Sequence, residues 1–304
     1  QGVQGKRDVT EGIWAAYIQQ RLTPTNFLHL NLGARFDADP RGGNRLSPRA
    51  AAAVDVWEGG VLKLIYAEAF RPPTFFEGLF SSADYVPNPS LRSESVRGVE
   101  STIEQRFGRN KLLFGAYYTH WSDMISTTTL SDGQLQYDNI SAIRNYGFNA
   151  SFQGSVGSLR YGASVVGAHT RRETPDGEQR LPVAPQLFGN ARVSYSFPDS
   201  LPTLALATSF VGRRPADRFL DGNFVPDPYA PASATLRLTL SQPIAPVPGL
   251  SYQVGGSYTT GKVVPYVAGP TQFYDPEDPN RGPAELTPIV KLVAFATLRY
   301  DFPL

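Results

Sequence analysis

The sequence predicts an all-β fold, a transmembrane antiparallel β-barrel, and three observations carry that prediction. Apolar and polar residues alternate with period two along most of the chain. The alternating runs are longer than ordinary globular strands, and the connections between them alternate between short and long. A soluble two-sheet sandwich shares the alternation. Strand length and loop asymmetry separate the two.

About 13 strands are expected, at 8–21, 26–37, 44–57, 60–71, 94–107, 111–130, 134–155, 158–171, 186–197, 201–213, 228–242, 249–261 and 287–303. In the second, Leu28, Leu30, Leu32, Ala34 and Phe36 share one face, against His29, Asn31, Gly33, Arg35 and Asp37. Further on, Tyr146, Phe148, Ala150 and Phe152 oppose Asn145, Gly147, Asn149, Ser151 and Gln153. Ala234, Leu236, Leu238 and Leu240 oppose Thr235, Arg237, Thr239 and Ser241. In the last strand Leu292, Ala294, Ala296, Leu298, Tyr300 and Phe302 lie opposite Lys291, Thr297, Arg299 and Asp301. Strand 60–71 is apolar on both faces, which a water-filled pore does not require and contact with a plug or an inward-folded loop explains.

Composition narrows the function classes. Net charge is +1, so nothing favours nucleic acid as a partner. There is no cysteine, which removes disulfides and thiolate chemistry, and three histidines on separate strands make no metal site. No metal or other cofactor is expected, and no catalytic constellation appears, so the chain does not read as an enzyme. Asp275, Glu277 and Asp278 lack the spacing of a calcium loop and read as solvated surface. No run approaches the roughly 18 apolar residues of a membrane helix, but barrel strands need only about 10 residues of alternation. The opening QGVQGKRD has neither Met nor a signal peptide and reads as a mature product or a fragment.

Short connections (LTPTN, EGG, GRN, SVG, PDS) alternate with long ones (DADPRGGN, 72–93, RRETPDGEQRLPVAP, RRPADRFLDGNFVPD, 262–286). That asymmetry places long loops outside and short turns in the periplasm. The short SDG breaks the pattern because it caps the two longest strands. First and last strands then run the same way, and an odd number of antiparallel strands cannot close on itself. Unpaired edges in lipid cost several kcal/mol per backbone group, so upstream strands or another chain are expected to complete the sheet.

Four consecutive segments, NLGARFD, LSPRAAAAVD, VLKLIYAEAFRPPTFFE and NPSLRSESVRGVE, resemble the signatures of TonB-dependent outer-membrane receptors. Tyr66, Phe70, Arg71, Pro73, Thr74 and Glu77 match the third signature, and Asn88, Pro89, Leu91 and Glu94 the fourth. HWSDMI, NYGFNASF and VKLVAFATLRYDF follow in family order. The resemblance implies a barrel of about 22 strands with a plugged lumen, of which this chain, 1–304, is the C-terminal portion without the plug. Ser93 stands where the family has proline, which points to a looser turn, and Pro303 and Leu304 follow the terminal aromatic.

Physically, Pro72 and Pro73 end strand 60–71 at the outer rim because proline offers no ladder donor. Arg71 is expected to pair with a lumen carboxylate such as Glu100 or Glu104, either as a register pin or as a substrate contact. Glu100, Glu104 and Arg106 form a lumen-facing polar ladder, with Arg97 on the opposite face. Phe75, Phe76, Phe80 and Tyr85, with Tyr266, Phe273 and Tyr274 in the last long loop, are the candidate substrate-facing rings. Interfacial girdle or loop-packing roles are the alternatives.

The resemblance implies a receptor of the bacterial outer membrane that imports a scarce nutrient, a ferric siderophore first. Its partners are then lipid, a metal chelate, and TonB through the missing N-terminal plug region. A substrate-selective passive porin is the second reading, and a barrel anchoring a surface complex the third.

Overall fold

The computed structural model describes residues 10–175, 177–181, 184–198, 201–215, 219–220, 223–224, 229–230, 232–244, 247–260 and 291–302. Its elements run β1 (Trp14–Thr25), β2 (Leu28–Asp39), β3 (Gly43–Trp57), β4 (Gly60–Arg71), α1 (Phe75–Leu79), β5 (Tyr85–Val86), β6 (Glu94–Phe107) and β7 (Asn110–Thr129). There follow β8 (Leu135–Val156), β9 (Leu159–Thr174), β10 (Gly177–Arg180), β11 (Leu187–Ser196) and β12 (Thr203–Val211). Two-residue pieces β13 (Arg214–Pro215), β14 (Phe219–Leu220), β15 (Asn223–Phe224) and β16 (Tyr229–Ala230) precede β17 (Ser233–Pro243), β18 (Leu250–Thr260) and β19 (Leu292–Tyr300).

The chain divides into two compact units, and β6 to β9 pass through both. In the first unit the hydrogen-bonded order is β1-β2-β3-β4-β6-β7-β8-β9, with β10 added on β9 and β5 parallel to β8. In the second it is β6-β7-β8-β9-β11-β12-β17-β18-β19. Among the described residues, β1 pairs only with β2 and β19 only with β18.

Register settles the faces, because directly paired residues share one. Asn31 pairs with Ala51, Gly33 with Arg49 and Arg35 with Ser47, which makes one face polar. Leu30 pairs with Ala52 and Leu32 with Ala50 on the other. In the second unit Leu206 pairs with Leu238, Leu240 with Val254, and Tyr252 with Leu298. These apolar residues find no second layer. Leu236 is 48% exposed and Leu298 68%, while the one buried hydrophobic residue among those described is Leu91. A sandwich would have interred them, so this face needs an apolar solvent. Towards the short-turn end the face gathers rings, with Phe152 5.6 Å from Tyr161, and Tyr195 4.7 Å from Phe197. Interfacial girdles have that composition.

The two-residue turns 58–59, 108–109 and 157–158 each hold a glycine in the left-handed region (Gly59, Gly108, Gly157). Two expectations need correction. LTPTN is no turn: β1 continues through Pro24 with a register shift between Leu22 and Thr25, and the chain reverses at 26–27. Proline is tolerated there because it sits at the register shift, where no regular ladder donor is required. DADPRGGN is no long loop either, since β2 runs on to Asp39 and β3 begins at Gly43.

Candidate functional site

The site lies in the first unit, where β4 gives way to segment 72–93. Pro72 and Pro73 stop β4, and Thr74 then caps α1. Thr74 Oγ1 accepts from the Glu77 amide at 3.1 Å, and the Glu77 carboxylate accepts from the Thr74 amide at 2.7 Å. This reciprocal cap holds the Glu77 carboxylate beside Arg71.

Arg71 is the centre of a two-carboxylate clamp. Its Nε and Nη2 donate to Glu94 Oε2 and Oε1, each at 2.8 Å. Nη1 and Nη2 donate to Glu77 Oε2 and Oε1 at 2.9 and 3.1 Å. These partners replace the expected Glu100 or Glu104. Glu100 is exposed, and Glu104 is held by Arg106 at 2.8 Å and Lys111 at 3.0 Å. Strand alternation nevertheless puts Glu94, Glu100, Glu104 and Arg106 on one face of β6. Burial pushes the Glu77 carboxyl up, but the hydrogen bonds from Arg71 and Thr74 outweigh it and hold the pKa below the ordinary value.

Glu94 is 3% exposed and accepts a third hydrogen bond, from the Ile125 amide to its Oε1 at 2.8 Å. That amide is freed where β7 is distorted: Asp123 has φ +55°, the one positive φ outside glycine among the described residues. Arg92 Nη2 donates to Asp123 Oδ1, and Asn139 Nδ2 to the Asp123 carbonyl, both at 2.6 Å. Asn88 Nδ2 donates to the Tyr137 carbonyl at 2.9 Å. Segment 72–93 is thus tied to β4, β6, β7 and β8.

Three of the predicted rings come together. Phe76 stacks on Phe80 at 4.2 Å, and Phe80 meets Tyr85 edge-on at 5.7 Å. Tyr137, which the sequence did not single out, completes the cluster 5.8 Å from Tyr85 and 6.0 Å from Phe76. Phe75 has no ring partner among the described residues and is 40% exposed. Tyr266, Phe273 and Tyr274 lie outside the described residues, as do Asp275, Glu277 and Asp278. The sequence signal that α1 offered was the Thr-x-x-Glu cap. Asp123 lay within HWSDMI without a role of its own, and Tyr137 and Asn139 gave no signal, since they sit inside a long alternating strand.

An antiparallel sheet with an apolar face that finds no second layer and a polar face opposite is of the class that spans membranes as β-barrel strands. The chain belongs to the TonB dependent receptor-like, beta-barrel family, whose model matches residues 2–280. This is a family of non-catalytic receptors of the bacterial outer membrane. The fold is similar to the siderophore receptor PirA from Acinetobacter baumannii, with a TM-score of 0.67 at 17% identity over 81% of this chain and 41% of that one. It is similar to a G324V mutant of the ferric enterobactin receptor PfeA from Pseudomonas aeruginosa, with a TM-score of 0.66 at 14% identity over 81% and 39%. The FrpB iron transporter from Neisseria meningitidis gives 0.65 at 14% identity over 80% and 40%. The chain therefore spans about two fifths of these receptors. No match was found among curated protein sequences.

Proposed function

We propose that the complete protein is a TonB-dependent receptor importing a scarce nutrient, a ferric siderophore in the first place. In this reading the strands described here are part of a plugged barrel of about 22 strands. TonB acts on the N-terminal plug region, outside this chain. The observation that carries the reading is the fold similarity to three receptors named for iron or siderophore transport, over four fifths of this chain.

Ligand would meet the long-loop rim at Phe75, Phe76, Phe80 and Tyr85, with Tyr137 behind them and Tyr266, Phe273 and Tyr274 from the last loop. Glu100, Glu104 and Arg106 would line the lumen below. The Arg71 clamp supports an architectural role for the motif residues, because every guanidinium nitrogen already donates within the protein.

The test is growth of a deletion strain on single ferric siderophores, with conductance of the full-length protein in a planar bilayer. Lost growth on one chelate class and a closed bilayer are expected. Unchanged growth on every chelate, or a steadily open pore, would overturn the reading.

A further inference from the structure

Among the described residues, the polar face of the second unit carries arginines that no carboxylate pairs. Gly162 pairs with Arg192, Arg192 with Ala207 and Ala207 with Arg237, which places two arginines in one row across the sheet. Arg160 pairs with Ser194 on the same face. Within this unit β8, β9, β11, β12, β17 and β18 carry no aspartate or glutamate. Its described carboxylates are Glu104, engaged by Arg106 and Lys111, and Asp301, engaged by Arg299. The first unit differs, for there Arg35 pairs with Asp37 and Arg41 with Glu11.

Arg160, Arg192 and Arg109 (from the β6–β7 turn) line one open hollow of about 480 Å³, with Gln153, Ser155 and Ser194 as neutral hydrogen-bonding neighbours. None of the three arginines has an ion-pair partner among the described residues. Ala205 and Ala207 leave room above the sheet. A single solvated arginine needs no explanation. Three in one concavity raise the local potential and attract counter-ions. Guanidinium forks also match paired anionic oxygens in geometry, which a lysine cluster does not.

We propose that this hollow, at the short-turn end of the polar face, binds a small multivalent oxyanion. The binding claim stands apart from the import reading. Only the hollow's use as a station for an anionic iron chelate rests on that reading.

The test uses the full-length protein in detergent, with citrate and pyrophosphate as probes in titration calorimetry. Saturable binding that weakens with added salt is expected for the native protein. The Arg160→Gln/Arg192→Gln variant should bind about tenfold more weakly or worse. Phenylglyoxal modification of the native protein gives a second measurement that needs no variant. Citrate should slow labelling of Arg109, Arg160 and Arg192 but not of Arg97. Absence of saturable binding at about 150 mM salt, equal binding by the variant, or labelling indifferent to citrate would overturn the proposal.

Discussion

Ser93 Oγ donates to the Gly42 carbonyl at 3.0 Å, and the Ser93 side chain is fully buried. Loss of the family's proline at this place points to a looser turn, yet the serine hydroxyl supplies a tie that proline cannot make. It joins the β2–β3 connection to the start of β6, with Pro72 packed against the same glycine. A Cβ on Gly42 would lie 2.3 Å from Ser93 Oγ and 2.8 Å from Pro72 Cβ. Gly42→Ala should therefore cost about 1–3 kcal/mol through overpacking. Ser93→Ala should cost roughly 1 kcal/mol through the lost bond. Thermal unfolding in detergent checks both, and a Gly42→Ala protein as stable as the native one would refute the packing argument.

Arg71 should not tolerate lysine. The clamp uses the planar fork to serve two carboxylates at once, and an ammonium cannot reproduce four donors in that arrangement. Arg71→Ala leaves Glu94 buried without its counter-charge. The expected loss is about 3 kcal/mol, the low end for a broken buried pair, because the guanidinium is 41% exposed. Arg71→Lys should recover only part of it. Faster proteolysis within segment 72–93 is the readout, and full recovery by lysine would show that charge alone matters.

Acid should loosen the same segment. The folded Glu77 pKa lies below its ordinary value of 4.5, so its stabilising contribution is complete above that value. It is lost as the pH falls through the lower folded pKa. The protection of the Glu77 and Gly78 amides against hydrogen exchange, both bonded to Thr74, should fall across that window relative to the unfolded chain at the same pH. Glu77→Gln should show lower protection already at neutral pH, with little further change in protection as the pH falls.

Most strands were legible because they repeat the same two-residue contrast between an apolar and a polar face. Strand 94–107 is observed at Glu94–Phe107, as the alternation requires, and strand 60–71 at Gly60–Arg71, where the glycine turn before it and the two prolines after it set the bounds. Legibility stopped where structure depends on contacts distant in sequence. Glu94 bonds Ile125 across 31 residues and Asn88 bonds Tyr137 across 49, and neither partner breaks the strand pattern. Pro24 misled in the other direction, since a proline reads as a turn unless a bulge is known to take it into the strand.

The rim rings should separate by function, because packing and exposure divide them. Phe80 is enclosed by Phe76 and Tyr85, so Phe80→Ala removes two ring contacts worth about 0.5–1.5 kcal/mol each, besides its buried area. Phe75 projects from the same helix turn with no ring partner among the described residues, so Phe75→Ala should leave unfolding nearly unchanged. If exposed rings meet ligand at this rim, Phe75→Ala should weaken siderophore binding while Phe80→Ala mainly lowers stability. Measuring affinity and melting temperature on the same two variants decides the matter. Affinity lost only with stability would make the cluster a packing device, and the ligand surface would then have to be sought elsewhere along the rim.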